Sequence, residues 1–234
     1  MHALAWPPFL QGDSVNALWP NLYTDFPDYQ IGLCDRSGDV VAIGNTIPFL
    51  WNGRASGLPA RVFDVIARGI KAAASGRQSN TLAALAVIVD PARRMKGLSA
   101  RIVMAMRDLA AARGFKTLIV PVRPSHKAQY PLIPMERYLA WKRQDGGPFD
   151  PWLRVHWRLG GRVLKITPRG NTVEAAVADW ERWTGLEFPA SGSYVVPRAF
   201  QPIVLRRTRG RMRYEEANVW VLHNTDPVAS RSKK

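Results

Sequence analysis

LAALAVIVDPARRMKGLSARIVMAMRDLAAARGFKTLIVPVRPSHK, residues 82–127, reads as strand, turn, helix and strand. Residues 82–89 are a nearly continuous apolar run closed by Asp90-Pro91, the pattern of a strand buried on both faces and stopped by proline. A basic loop, 92–96, follows. Gly97-Leu98-Ser99 opens a helix in which Leu98, Ile102, Ala105, Met106 and Leu109 recur at spacings of three and four, while Arg101, Arg107 and Asp108 point elsewhere. Gly114 stands where a glycine stops a helix. Residues 117–123 are β-branched and apolar again, so two strands flank one helix and the connection is long enough for a parallel crossover.

The turn before that helix is a candidate anion site. The first N–H groups of a helix have no intrahelical partner and lie at the positive end of its dipole, so an anion satisfies them. Gly97 allows close approach of a phosphate, Ser99 is small, and Arg94 with Lys96 adds full positive charge. Strand-to-helix turns also collect glycine and basic residues for structural reasons alone, so the loop needs its flanks to be read further.

With those flanks, residues 90–99 resemble the diphosphate-binding motif of the GNAT (GCN5-related) acyl-CoA N-acyltransferases. Arg94 and Gly97 fit the family's Arg/Gln-x-x-Gly-x-Gly/Ala turn. Ser99 stands where Gly or Ala is usual, and Met95 where many members carry another glycine, which makes the loop bulkier than the common pattern. The resemblance implies that the backbone of Arg94, Met95, Lys96, Gly97, Leu98 and Ser99 holds the diphosphate of coenzyme A. It implies too that Val87, Ile88 and Val89 border the pantetheine arm. Pro121 agrees, because a central strand needs every N–H for its ladder and this one lacks a donor. The family's two central strands splay at this level to admit the cofactor, where a missing donor is harmless; an edge strand or a bulge is the other account of this proline.

The charge distribution points the same way. The 234 residues carry 33 Lys and Arg against 18 Asp and Glu. Residues 1–90 hold 6 against 7, residues 91–169 hold 17 against 4, and residues 170–234 hold 10 against 7. The surplus therefore starts at the proposed diphosphate loop, which favours an anionic ligand there. It exceeds what one coenzyme A needs, and a nucleic acid, an acidic partner or a solvated basic face accounts for the rest. The single Cys34 excludes an internal disulfide and a cysteine-based zinc cluster, and is expected to be a small buried hydrophobe. No secretory signal or membrane-spanning run is visible, so a cytoplasmic protein without a metal is expected.

The rest of the chain fills in around this centre. Residues 1–28, rich in Pro, Trp and Asn, read as an arm packed by its aromatics. A hairpin is expected from strands 29–35 and 39–49 joined by Arg36-Ser37-Gly38, then a helix over 58–75. Asp145-Gly146-Gly147-Pro148 marks a loop, and Asp150-Pro151 a helix start with Asp150 as its N-cap. Trp152, Val155, His156 and Leu159 recur at helical spacing, which favours a core-facing stripe over an aromatic nucleic-acid surface. Strands are expected at 162–167, 193–196, 202–208, 211–214 and 219–222, with a helix over 173–184 ended by Gly185. The phrases RPSxK, YPLxPMERYxAWKR and DPWLRVHWRLG resemble those of a longer bacterial GNAT-like group.

N-Acylation needs the amine deprotonated, the thioester carbonyl polarised and the leaving thiolate protonated. Many family members place an Asn and a helical Tyr after the second strand; His126 and Ile133 occupy those positions here, and Pro131 with Pro134 interrupts any helix between them. The candidate acids are therefore Tyr130, favoured as closer to the strand end, and Tyr138. The candidate bases are Glu136 and His126, with Asp145, Asp150 and Glu187 further off.

The resemblance implies an α/β fold with a mixed, mostly antiparallel central sheet, a parallel central strand pair splayed for the cofactor, flanking helices and a C-terminal extension. It divides the chain into the arm 1–28, an acyltransferase domain 29–223 and a disordered tail 224–234. The expected activity is transfer from acetyl-CoA, or another acyl-coenzyme A, to a small-molecule or peptide amine. A homodimer and an anionic partner are the further partners expected. A basic binding module and a non-catalytic acyl-CoA binder are the competing readings.

Overall fold

The computed structural model describes residues 5–11, 16–93, 97–206 and 210–225. Parts of the expected arm (1–4 and 12–15), the loop residues Arg94, Met95 and Lys96, residues 207–209, and residues 226–234 of the expected tail lie outside the described residues.

A short helix, α1 (Asn21–Thr24), precedes the hairpin β1 (Gln30–Cys34) and β2 (Val40–Phe49). Gly38 takes a φ of 88° in its turn, as the Arg-Ser-Gly signal requires. Helix α2 (Asp64–Ala74) leads to β3 (Thr81–Val89), α3 (Leu98–Ala112) and β4 (Thr117–Val122). Short helices α4 (Met135–Ala140) and α5 (Pro151–Arg158) are followed by β5 (Arg162–Ala176) and α6 (Val177–Thr184). Strands β6 (Gly192–Tyr194), β7 (Ile203–Arg206) and β8 (Arg211–Asn224) complete the sheet.

Its order is β1-β2-β3-β4-β8-β7-β6, with β5 along the other edge of β8. The pair β3 and β4 is parallel and the remaining pairings are antiparallel. One face carries α3, where Ile102, Met106 and Ala110 pack on Ala84, Leu118 and Val120. Each fully buried large side chain of this kind contributes about 1.5–3 kcal/mol. Helix and sheet approach closely at Gly44, where a Cβ would lie 2.6 Å from the Met106 side chain. The opposite face carries α2 and the arm, with Val65, Ile66, Leu22 and Phe26 against Ile47, Phe49, Ile119 and Trp220. A third cluster joins the arm to the C-terminal strands: Phe9 stacks on Trp180 at 5.4 Å and meets Tyr214 edge-on at 5.3 Å.

Several sequence expectations need correction. The helix expected over 173–184 begins only at Val177, because residues 173–176 alternate inward and outward and pair with β8. The segments 211–214 and 219–222 are one strand, continuous through a polar stretch that holds the buried Glu216. The helix expected from 58 starts at Asp64; before it, the Val62 N–H donates to Gly170 O on β5 at 2.9 Å. Cys34 is exposed, not buried, since it ends the edge strand β1 at a register shift. Among the described residues no helix is long and apolar enough to cross a membrane.

Candidate active site

The parallel pair is joined only at Leu82–Leu118 and Ala83–Ile119. Beyond that level β3 stays with β2 as far as Val89, and β4 stays with β8 as far as Val122, so the two strands part. Among the described residues one edge of β3 from Ala84 to Val89 has no strand partner, which leaves N–H and C=O groups there for an extended ligand. Pro121 sits in the parted stretch, opposite Trp220 of β8, where it withholds no hydrogen bond from β3. A bulge at Leu85, between the pairs Asn45–Ala86 and Thr46–Ala84, re-aims the backbone beside the cleft.

The helix after β3 starts at Gly97, whose φ of 70° is left-handed and therefore suited to glycine. A Cβ there would meet nothing within 4 Å among the described residues. Among the described residues no side chain caps the helix, and the first N–H groups of α3 keep their capacity for an anion. The approach is fixed from below: Asp90 accepts the Ala92 N–H at 2.9 Å, and Arg93 pairs with Asp35 at 3.2 Å. Val87 and Val89 are partly buried on the α3 side, Ile88 is buried, Leu98 is buried and Ser99 half-buried. The other three cofactor candidates, Arg94, Met95 and Lys96, lie outside the described residues.

Past β4 the chain turns through a 3-10 segment, Lys127–Gln129, into an aromatic cluster. Tyr130 is half-buried there, its ring 4.9 Å from Trp141, 5.8 Å from Phe149 and 5.9 Å from Tyr138. Tyr138 is 1% exposed and donates its hydroxyl to Asp150 Oδ2 at 2.8 Å. Burial first, then the Asp150 carboxylate, pushes this phenol far above its ordinary range, which makes it a poor proton donor. Asp150 caps α5 as the Asp-Pro signal indicated, accepting the N–H groups of Trp152 at 2.9 Å and Leu153 at 3.1 Å, and it also accepts that of His126 at 2.8 Å. The fold thus brings the Tyr138 hydroxyl and the His126 backbone N–H onto one carboxylate, with the Tyr130 ring packed beside Tyr138. It leaves Glu136 exposed on the outer side of α4.

A second polar cluster was not singled out from the sequence. Glu216 on β8 is fully buried and accepts four hydrogen bonds. Two come from Arg123, Nε at 2.8 Å and Nη2 at 3.0 Å; one from Asn171 Nδ2 at 2.7 Å; and one from the Tyr214 hydroxyl at 2.7 Å. Burial works against the charge on Arg123, but Glu216 more than offsets it and holds the guanidinium above its ordinary pKa. Burial, then Glu216, raises Tyr214. Lys127, 2% exposed, donates to the carbonyls of Tyr130 at 2.8 Å and Phe200 at 2.5 Å; burial lowers its pKa to about 8 against the pull of Glu216. The only sequence signal for this cluster is the phrase RPSxK, which contains Arg123 and Lys127, since Glu216 lies 93 residues from Arg123 and Phe200 73 residues from Lys127.

At the other end of the same strands, His156 Nδ1 and His223 Nε2 lie 2.9 Å apart, both buried. Burial and the neighbouring imidazole lower His156 to about 3, and burial with Arg107 lowers His223 to about 4, so the pair is neutral. Among the described residues no group of three or more His, Cys, Asp or Glu is placed to hold a metal ion.

No family model matches the chain. It is 33% identical over 247 residues to the arginine N-acetyltransferase avaD of Aspergillus versicolor, an alignment spanning 93% of this chain and 84% of that protein. Among solved structures it is similar to the loading GNATL domain of CurA from Lyngbya majuscula, with a TM-score of 0.61 at 18% identity over 95% of this chain and 88% of that one. It is also similar to the GphF GNAT-like decarboxylase in complex with isobutyryl-CoA, with a TM-score of 0.55 at 18% identity over 95% and 90%. At such identities the solved structures speak for the fold, while the curated relative speaks for the family. The strand pair that parts beside the helix entrance at Gly97, the mixed sheet and this relative agree: the chain belongs to the GCN5-related N-acetyltransferase superfamily and is an acyl-CoA-dependent N-acyltransferase.

Proposed function

We propose that the enzyme transfers an acetyl group from acetyl-CoA to the amine of a small amino-acid acceptor, with arginine first among those to try. The observation that carries the cofactor half is the parting of β3 from β4 beside Gly97. The acceptor half rests on the arginine N-acetyltransferase relative. In this reading the pantetheine arm lies along the free edge of β3 at Val87, Ile88 and Val89, and the diphosphate sits on the backbone from Arg94 to Ser99. Holding amine and thioester together in the cleft supplies much of the rate by proximity.

Tyr130 is the proposed acid for the departing thiolate, in preference to Tyr138, whose hydroxyl is committed to Asp150. His126 is the proposed base, acting directly or through water, ahead of the solvent-facing Glu136. The basic surplus supports an anionic partner at the surface, whose binding should weaken steeply with salt. A homodimer and a cytoplasmic location complete the proposal; sedimentation at micromolar concentration tests the first and localisation of the tagged chain the second.

Release of free thiol from acetyl-CoA across a panel of amino acids, polyamines and peptides is the direct test of the acceptor. No turnover with any amine, alongside tight acetyl-CoA binding, would overturn the assignment. For the general acid, Tyr130→Phe should lower kcat by about 10²–10⁴-fold while Tyr138→Phe acts mainly on stability.

A further inference from the structure

We propose that Arg123 is the specificity-determining residue that holds the carboxylate of the acceptor, so that the enzyme acylates amino acids in preference to the amines left by their decarboxylation. This rests on the N-acyltransferase reading above and adds what the acceptor must carry.

Arg123 directly follows the last residue of β4, on the strand that parts from β3, and alternates onto the same face as Ile119 and Pro121. Its guanidinium is immobilised on three sides. Nε and Nη2 grip Glu216, Nη2 also donates to the Arg198 carbonyl at 2.9 Å, and the plane lies 3.8 Å above the Phe200 ring. A guanidinium carries five N–H donors in a fixed fork. Those of Nε and Nη2 are consumed by the protein. The two on Nη1 have no partner among the described residues, and Nη1 is not among the buried unpartnered atoms, in keeping with a side chain that remains 20% exposed. An arginine that only stapled the sheet would gain nothing from being held so rigidly with one nitrogen open; one that receives a planar anion gains both affinity and orientation.

The surrounding charge agrees. Arg123 and Lys127 both act on Glu216, two cations to one carboxylate, and burial lowers Lys127 even so. A bound carboxylate would offset that surplus where desolvation makes it costly.

The test uses thiol release from acetyl-CoA by the wild-type enzyme with matched pairs: arginine and agmatine, lysine and cadaverine, tyrosine and tyramine. For whichever pair turns over, the amino acid is expected to exceed its decarboxylated amine in kcat/KM by about tenfold or more, because a site built around a charge-assisted pair rejects the analogue that lacks it. In R123Q/E216Q, which removes both buried charges together, that ratio is expected to fall towards one. Arg123→Lys keeps the charge and loses the fork, and is expected to lower the ratio too, giving the same reading should the double variant not fold. Equal rates for an amino acid and its amine in the wild type, or an unchanged ratio in the variants, would overturn the carboxylate clamp and leave N-acyl transfer intact. Thiol release with neither class would remove both.

Discussion

The two flanks of the cleft are built from different materials. On the β3 side the groups offered to a ligand are backbone: a strand edge unpaired among the described residues, a left-handed Gly97 and the first turn of α3. On the β4 side they are side chains, with Arg123, Asn171 and Tyr214 converging on one buried carboxylate. A backbone site is made by local geometry, tolerates side-chain change and costs little to maintain. A buried charge cluster depends on every member being present, because each one left alone loses its compensation.

That contrast is open to direct attack. The largest expected effect is Glu216→Ala, which strands the Arg123 guanidinium and leaves Asn171 and Tyr214 unsatisfied; it should lower the unfolding free energy in urea by about 3–5 kcal/mol. A loss under ~1 kcal/mol would show that the cluster is not held as its geometry indicates. Acid comes next, through the buried histidines at the closed end of the strands. Both have folded pKa values below the ordinary 6.5, so below that pH the unfolded chain takes up protons that the folded chain refuses, and stability falls as pH drops from about 6.5 towards 4. The slope should be roughly 1 kcal/mol per pH unit for each histidine. His223→Asn should flatten the profile, and one as steep as the wild type would locate the acid sensitivity elsewhere.

The backbone flank should behave in the opposite way. Gly97→Asp puts a Cβ at a left-handed φ, at a cost of about 1 kcal/mol in stability that its carboxylate, at the positive end of the helix dipole, partly offsets. The thermal stabilisation given by acetyl-CoA should nevertheless disappear, and a variant stabilised as well as the wild type would move the diphosphate away from this turn. The smallest effect is expected at Arg93→Ala, which removes a half-exposed pair with Asp35; the change should be about 0.5 kcal/mol or less by chemical denaturation.

The same difference explains what was legible in the sequence. Residues 82–127 gave β3, α3 and β4 nearly to the residue because apolar period, Pro91, Gly97 and Gly114 act within one turn of the elements they limit. Pro121 admits parted strands, an edge strand or a bulge as its account, and it is the parting of β3 from β4 that receives its missing donor. The hairpin and the Asp150 cap were equally local. The misreadings came where burial is set from a distance. Residues 173–176 read as helix although β8 holds them as strand, and β8 reads as two strands because Glu215, Glu216 and Asn218 do not have the pattern of an inner strand. A glutamate becomes an interior residue only when an arginine 93 residues earlier arrives beside it. Cys34, apolar by type, is exposed because its strand is the edge of the sheet.

By itself, then, the sequence determined the strand–turn–helix–strand unit, its glycine-opened helix entrance and the basic centre, because propensity, capping and charge are properties of near neighbours. The tertiary structure alone decided how far β3 and β4 separate, which phenol is sealed on Asp150 and which arginine is fixed with an open nitrogen. Those outcomes depend on residues that meet only when the sheet is assembled, and their energies come from removing charge and hydrogen-bonding groups from water together.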